Sequence, residues 1–202
     1  CTARPKKQLR YKQLYVLSPY VQPYTQRQTL VLANNLSVLH FMYARIVSTN
    51  IASVGYYVGG MSEAQLKESE SCQIILATYQ MASEGLDIRS LNALFLITPM
   101  TDITQAVGRI LRAKHAFPVI VDIVDSHEPF QNQARKRRAF FKSQGYTIHR
   151  VSMEEYLSNV SYFQQYVAAP IKEKDSDSDD EKSAAPSVAV AKASKLFARG
   201  RR

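Results

Sequence analysis

The sequence has no run of eighteen apolar residues, and so no segment able to cross a bilayer as a helix. Its basic start, Cys1 to Lys12, lacks the apolar stretch of a secretory signal. Only two cysteines are present, Cys1 and Cys72, too few for a disulfide framework or a zinc site of their own. Cys72 opens an apolar run and reads as a small buried thiol. A reducing intracellular compartment fits this cysteine usage, and no membrane partner is expected. The four histidines, His40, His115, His127 and His149, are scattered without ligand spacing, so no metal site is expected. An initial methionine is also missing, which suggests a processed product or a piece of a longer protein.

Excess charge is absent from the part of the chain that can fold. The net charge of +9 divides into +6 over residues 1–27, +1 over 28–171, −3 over 172–182 and +5 over 183–202. A uniformly basic coat for nucleic acid is thereby excluded, and phosphate contacts in the neutral middle must come from particular residues. What is present is a hydrophobic content of 46%, enough for one ordinary domain with tails.

Short apolar runs alternate with helical periodicities through this middle. Thr29–Ala33, Val54–Val58, Gln73–Ala77, Ala93–Ile97, Pro118–Val124 and Thr147–Val151 read as strands. Leu39, Met42, Tyr43 and Ile46 fall on one helix face, and further helices are predicted over 62–70, 102–112 and 128–143. A last helix starts at Ser152, with Glu155 placed to complete a capping box. The pattern predicts an α/β fold, a parallel sheet with helices on both faces, whose ligands collect at the carboxyl ends of the strands. Residues 172–202 are acidic and serine-rich, then small and basic, and read as a disordered tail. Ser176 and Ser178 each precede an acid by three positions, as an acid-directed kinase requires, although an unmodified solubilising tail explains them as well.

Two segments carry chemistry. In Ile75–Ile88 a buried strand empties into Thr78 and then reaches Glu84-Gly85-Leu86-Asp87. In Gln105–Lys114 a helix at 100° per residue gathers Ile103, Ala106, Val107, Ile110 and Leu111 within about 140° of arc. Gln105, Arg109 and Arg112 lie within about 60° on the opposite side. Many surface helices share that pattern. Two details set this one apart: Gly108 weakens mid-helix where close approach would need a missing side chain, and the arginines have no acidic partner one turn away. Elsewhere, Arg135-Lys136-Arg137-Arg138 reads as a solvated helix face, a nucleic-acid track or a nuclear localisation signal, and Phe140 and Phe141 as packing residues. Asp122, Asp125, His127 and Glu128 form an acidic cluster better explained by loop capping than by a metal.

Asn34, Thr78, Glu84-Gly85-Leu86-Asp87 and Gln105-x-x-Gly108-Arg109-x-x-Arg112 stand in the order and spacing of motifs IV, V and VI of superfamily 2 helicases. Over about residues 28–167 the chain resembles the second RecA-like domain of such enzymes. The form of motif VI is closest to XPB-type translocases, phage recombination helicases and helicases of large DNA viruses. The resemblance implies a basic connector over 1–27, a helicase C-terminal RecA-like domain over 28–168 and a tail over 169–202. It also implies roles. Arg109 and Arg112 would be arginine fingers and Gln105 a contact to the phosphate or attacking water. Gly85 and Asp87 would face the nucleotide, and Asn34 and Thr78 the nucleic-acid backbone. ATP and Mg²⁺ are the implied cofactors, and DNA or RNA and a first RecA-like domain in cis the implied partners. A nuclear or viral replication-site location follows from the same resemblance.

No G-x-x-x-x-G-K-[ST] loop and no DEAD, DEAH or DExH sequence occurs, so the resemblance leaves the phosphate cradle and the Mg²⁺ ligands to the missing first domain. This chain alone is expected not to hydrolyse ATP. The expected function is the second motor domain of a helicase or translocase. The alternatives are a non-catalytic RecA-like nucleic-acid-binding or regulatory module and an ordinary α/β domain whose basic helix face is only surface.

Overall fold

A computed structural model describes residues 27–110, 118–152, 155 and 187–193. The first strand, β1 (Gln28–Ala33), is buried over five of its six residues. Such a run, without polar alternation, can be satisfied only in a sheet covered on both faces. Its side chains divide by the two-residue period of a strand. Val31 and Ala33 join one core with Leu39, Met42 and Ile46 of α1 (Leu36–Thr49). Leu30 and Leu32 join the opposite core, beneath α3 (Tyr79–Glu84), α4 (Thr104–Ile110) and α5 (Glu128–Ser143).

The chain continues through β2 (Val54–Tyr57), α2 (Glu63–Ser69), β3 (Ile74–Thr78), β4 (Leu91–Leu96), β5 (Val119–Val124), β6 (Tyr146–Ser152) and β7 (Ser187–Ala193). Sheet order is β2-β3-β1-β4-β5-β7-β6. The pairs β2–β3, β3–β1, β1–β4 and β4–β5 are parallel, so five strands discharge their loops along one carboxyl edge. The expected α/β architecture is therefore observed. At the amino edge the Gln28 side chain ties strands together by donating to the Glu70 and Cys72 carbonyls at 2.6 and 2.9 Å. Between β2 and α2 the backbones come so close that a Cβ on Gly55 would lie 2.8 Å from the Ser69 Cβ. Ser62 and Gln65 close a capping box at the start of α2.

Three expectations need correction, and one helix was not expected. Residues 187–193 lie within the stretch read as a disordered tail, yet they form β7, antiparallel to both β5 and β6. Averaged over the tail, composition is polar; locally, Val188 and Val190 among alanines suit an extended strand. Cys72 is half-buried rather than buried, and burial pushes its thiol up from the ordinary value. The short helix α3 was not read from the sequence, being too brief to show a period. Arg137, within the expected solvated run, is buried. Phe141 packs in the core as expected. The capping box of Ser152 and Glu155 is present, with reciprocal bonds of 2.8 and 3.1 Å, while the rest of that helix lies outside the described residues. No helix among the described residues is long and apolar enough to cross a membrane.

Candidate functional site

Parallel strands bring the ends of β1, β3 and β4 side by side. Ala33 is the register partner of Thr78, so Asn34 and Thr78 emerge next to each other at the carboxyl edge. Leu32 pairs with Leu96, which puts Thr98 on the other side of Asn34. This is the place in an open α/β sheet where strand order reverses and ligands bind. The Asn34 backbone N–H donates to Thr98 Oγ1 at 2.8 Å, and its side-chain Nδ2 donates to the Pro99 carbonyl at 3.0 Å. Both bonds are solvent-exposed.

Thr78 caps α3. Its Oγ1 accepts from the Met81 N–H at 3.4 Å, and the hydroxyl proton is not used in that bond. Gly85 ends the same helix, its N–H bonded to the Met81 carbonyl. Six residues of helix span about 9 Å, so α3 separates the Thr78 end from the Gly85 end by roughly that distance. Beyond Gly85, Leu86 and Ile88 are buried and anchor the turn, leaving Asp87 exposed between them.

The wheel drawn for α4 is observed over its described part. Ile103, Ala106 and Val107 are buried against β4 and α3, whereas Thr104, Gln105 and Gly108 face solvent. Among the described residues a Cβ on Gly108 would meet nothing within 4 Å, so none of them fills the space above that glycine. Asp102 starts the helix by accepting from the Thr104 N–H at 3.0 Å, and that bond holds its carboxyl below the usual value. Arg109 is on the described helical backbone. Arg112 lies outside the described residues. The structure thus groups Asn34 with Thr78, Gly85 with Asp87, and Gln105 with Gly108 and the Arg109 backbone.

Beneath this surface lies a polar cluster that sequence reasoning missed. Arg137 donates from Nε and Nη2 to Asp122 Oδ2 and Oδ1, both at 2.8 Å, with each side chain about 2% exposed. Its remaining Nη1 donates to the Met100 carbonyl at 2.6 Å. Burial pushes the Asp122 carboxyl up, and the two bonds and the charge of Arg137 oppose that shift. Tyr79, nearby, donates its hydroxyl to the Thr98 carbonyl at 2.9 Å. Burial pushes this phenol well above its ordinary value, the Asp122 carboxylate adds to the effect, and Arg137 opposes it. Asp122 is therefore neither a metal ligand nor a loop cap. The available signal was the fifteen-residue separation, through strand, turn and helix, that brings an apolar-flanked Asp over an Arg.

The described residues put an amide and a glycine on the exposed side of α4, and an exposed carboxylate in the turn that follows α3. Among the described residues no group of three or more His, Cys, Asp or Glu could hold a metal ion.

No family model matches the chain. Over 136 residues it is 40% identical to L396 of Acanthamoeba polyphaga mimivirus, provisionally named an ATP-dependent RNA helicase; the match covers 65% of this chain and 26% of that protein. African swine fever virus QP509L, provisionally named the same way, is 29% identical over 116 residues, 54% of this chain and 23% of that protein. The chain thus spans about a quarter of the length of these relatives. An uncharacterized protein of Invertebrate iridescent virus 3, 108L, is 31% identical over 74 residues, 36% of this chain and 71% of that protein. Among solved structures, the C-terminal domain of S. cerevisiae Dbp5 bound to Gle1 and IP6 superposes with a TM-score of 0.58 at 14% identity, covering 78% of this chain and 92% of that one. Dbp5 bound to RNA and ADP BeF3 gives 0.56 at 15%, over 79% and 43%. At such identities the structural likeness concerns the fold.

Proposed function

We propose that this chain, similar in sequence to viral proteins provisionally named as helicases and RecA-like in fold, is the nucleotide-sensing half of an ATP-driven nucleic-acid motor. The observation that carries the proposal is the exposed polar face of α4, with Gln105 and the open Gly108 on one side and a buried apolar face on the other. A glycine that faces nothing among the described residues suits a helix that closes against another surface.

In this reading Arg109 and Arg112 act on a γ-phosphate bound by a first RecA-like domain in cis. Guanidiniums aimed at developing charge are worth about 10³–10⁵ in phosphoryl transfer. Gln105 orients the phosphate or the attacking water, and Gly85 and Asp87 border the nucleotide. Mg²⁺, held by the other domain, would neutralise phosphate charge. Asn34 and Thr78 donate to backbone phosphates of DNA or RNA, contacts that position the strand without reading its sequence. α3, capped by Thr78 and ended by Gly85, is the physical link between the two sets of contacts.

The test is nucleic-acid-stimulated ATP turnover by the full-length protein that contains this chain, assayed with DNA and with RNA. Loss of at least about 10³-fold is expected for Arg112→Ala. Near-normal turnover in that variant would sink the finger assignment, and no stimulation by either polymer would sink the motor.

A further inference from the structure

Three successive carbonyls on the way into α4 are each held by a side chain from a different element. Tyr79 of α3 holds Thr98, Asn34 after β1 holds Pro99, and Arg137 of α5 holds Met100. Of the three, Arg137 is the one whose surroundings are hardest to explain by stability alone. Taking two charges out of water is expensive, and a well-packed apolar pair of similar volume often leaves a fold equally stable or more so. An apolar pair cannot, however, donate to the Met100 carbonyl.

Each of the three guanidinium nitrogens donates one hydrogen bond. Two nitrogens lie against the two oxygens of Asp122, which fixes the plane and the rotation of the group, and the third then points at one backbone oxygen. Asp122 is in β5 and Arg137 in the middle of α5, both rigid and buried. Met100 is four residues before Thr104, the first residue of α4. The segment between them is anchored further only where Ile103 enters the core and Asp102 caps the first turn. A shift of the Met100 carbonyl therefore moves the start of α4, and with it every residue of the polar face.

We propose that Arg137, aimed by Asp122, is a positioning residue that fixes where α4 begins and hence where Gln105 and Arg109 stand; this rests on reading α4 as the nucleotide-facing helix. Lysine cannot replace it. A single ammonium can pair with Asp122 or reach the carbonyl, but it lacks the fork that does both in one plane.

Two variants of the full-length protein test this: Arg137→Lys, and the double variant Asp122→Leu/Arg137→Met, which removes both charges together and so avoids stranding one of them. ATP turnover at saturating nucleic acid is measured alongside KM for ATP, nucleotide-free nucleic-acid affinity and thermal unfolding. Small misplacement of reacting groups costs about 10²-fold, so kcat should fall by about that factor in both variants. KM for ATP should rise, while nucleotide-free affinity, set at Asn34 and Thr78, should hold. Full turnover in either folded variant overturns the proposal. A fall in turnover that only tracks lost folded protein, with KM unchanged, also overturns it. Should the double variant fail to fold, Arg137→Lys decides alone. Arg109→Ala separates this proposal from its premise. If that variant keeps full turnover, the reading of α4 fails and the proposal with it; if it is inactive while Arg137→Lys is normal, only the positioning role fails.

Discussion

The hydroxyl of Tyr79 donates to the carbonyl of Thr98 at 2.9 Å from within the core, tying the residue after Thr78 to the loop that leads into α4. Tyr79→Phe removes the donor and leaves the carbonyl without it. Urea denaturation of the chain should show a loss of about 1–3 kcal/mol, the usual cost of a buried group left unsatisfied. A loss well below that range would mean that the loop re-forms its bond elsewhere.

Thr78 has two separable duties in this reading, capping α3 and contacting phosphate. Thr78→Asp keeps a good capping oxygen but turns a negative charge toward the strand. Thermal stability should therefore stay near the parent's while affinity for nucleic acid drops. Thr78→Ala should lose both, with a stability change of about 1 kcal/mol. Equal affinity in the parent and Thr78→Asp would remove Thr78 from the phosphate contacts.

Gly108→Ala should divide stability from activity. Alanine is favoured over glycine in a helix interior by about 1 kcal/mol, and none of the described residues obstructs the added methyl. The unfolding temperature should rise, whereas ATP turnover of the full-length protein should fall if another surface closes on that glycine. Unchanged turnover would show that the space is not used.

Gly55 is constrained from inside the fold. A methyl there would sit 2.8 Å from the Ser69 Cβ and 2.9 Å from its Cα, and backbone cannot move aside cheaply. Gly55→Ala should cost about 1–3 kcal/mol in denaturant unfolding, and Gly55→Ala with Ser69→Gly should recover part of it.

Acid should loosen α4 through Asp102. Its carboxyl sits below the ordinary value because it accepts from the Thr104 N–H. The stabilisation is therefore present above the unfolded value of about 3.9 and is lost as pH falls through the folded one. Asp102→Asn retains an acceptor oxygen without the titration. Amide exchange in α4 should accelerate less on acidification in that variant than in the parent; identical acid sensitivity would assign the effect to another group.

Several of these residues were legible in the sequence because their signal is local. The apolar runs of β1, β3, β4 and β5 announce strands covered on both faces, and the period of residues 103–111 announces which side of α4 is buried. Ser152 and Glu155 announce a cap at three-residue spacing. α3 was not legible, since six residues show less than two turns of periodicity. The Arg137–Asp122 pair was not legible either. In a run of four basic residues one side chain looks like another until the helix is placed on its sheet.

Chemistry that depends on order along the chain was settled by the sequence: the strands, the amphipathic helix and the motif residues, each specified within a few neighbours by hydrophobic period and side-chain type. Tertiary structure alone decided what depends on residues far apart meeting. Parallel pairing carried Asn34 and Thr78 to one edge. Packing of α5 onto β5 buried one of four successive basic residues against an aspartate, and β7 formed where two strands offered it partners. The physical reason is that burial and hydrogen-bond satisfaction belong to a place in the folded molecule, which local composition does not contain.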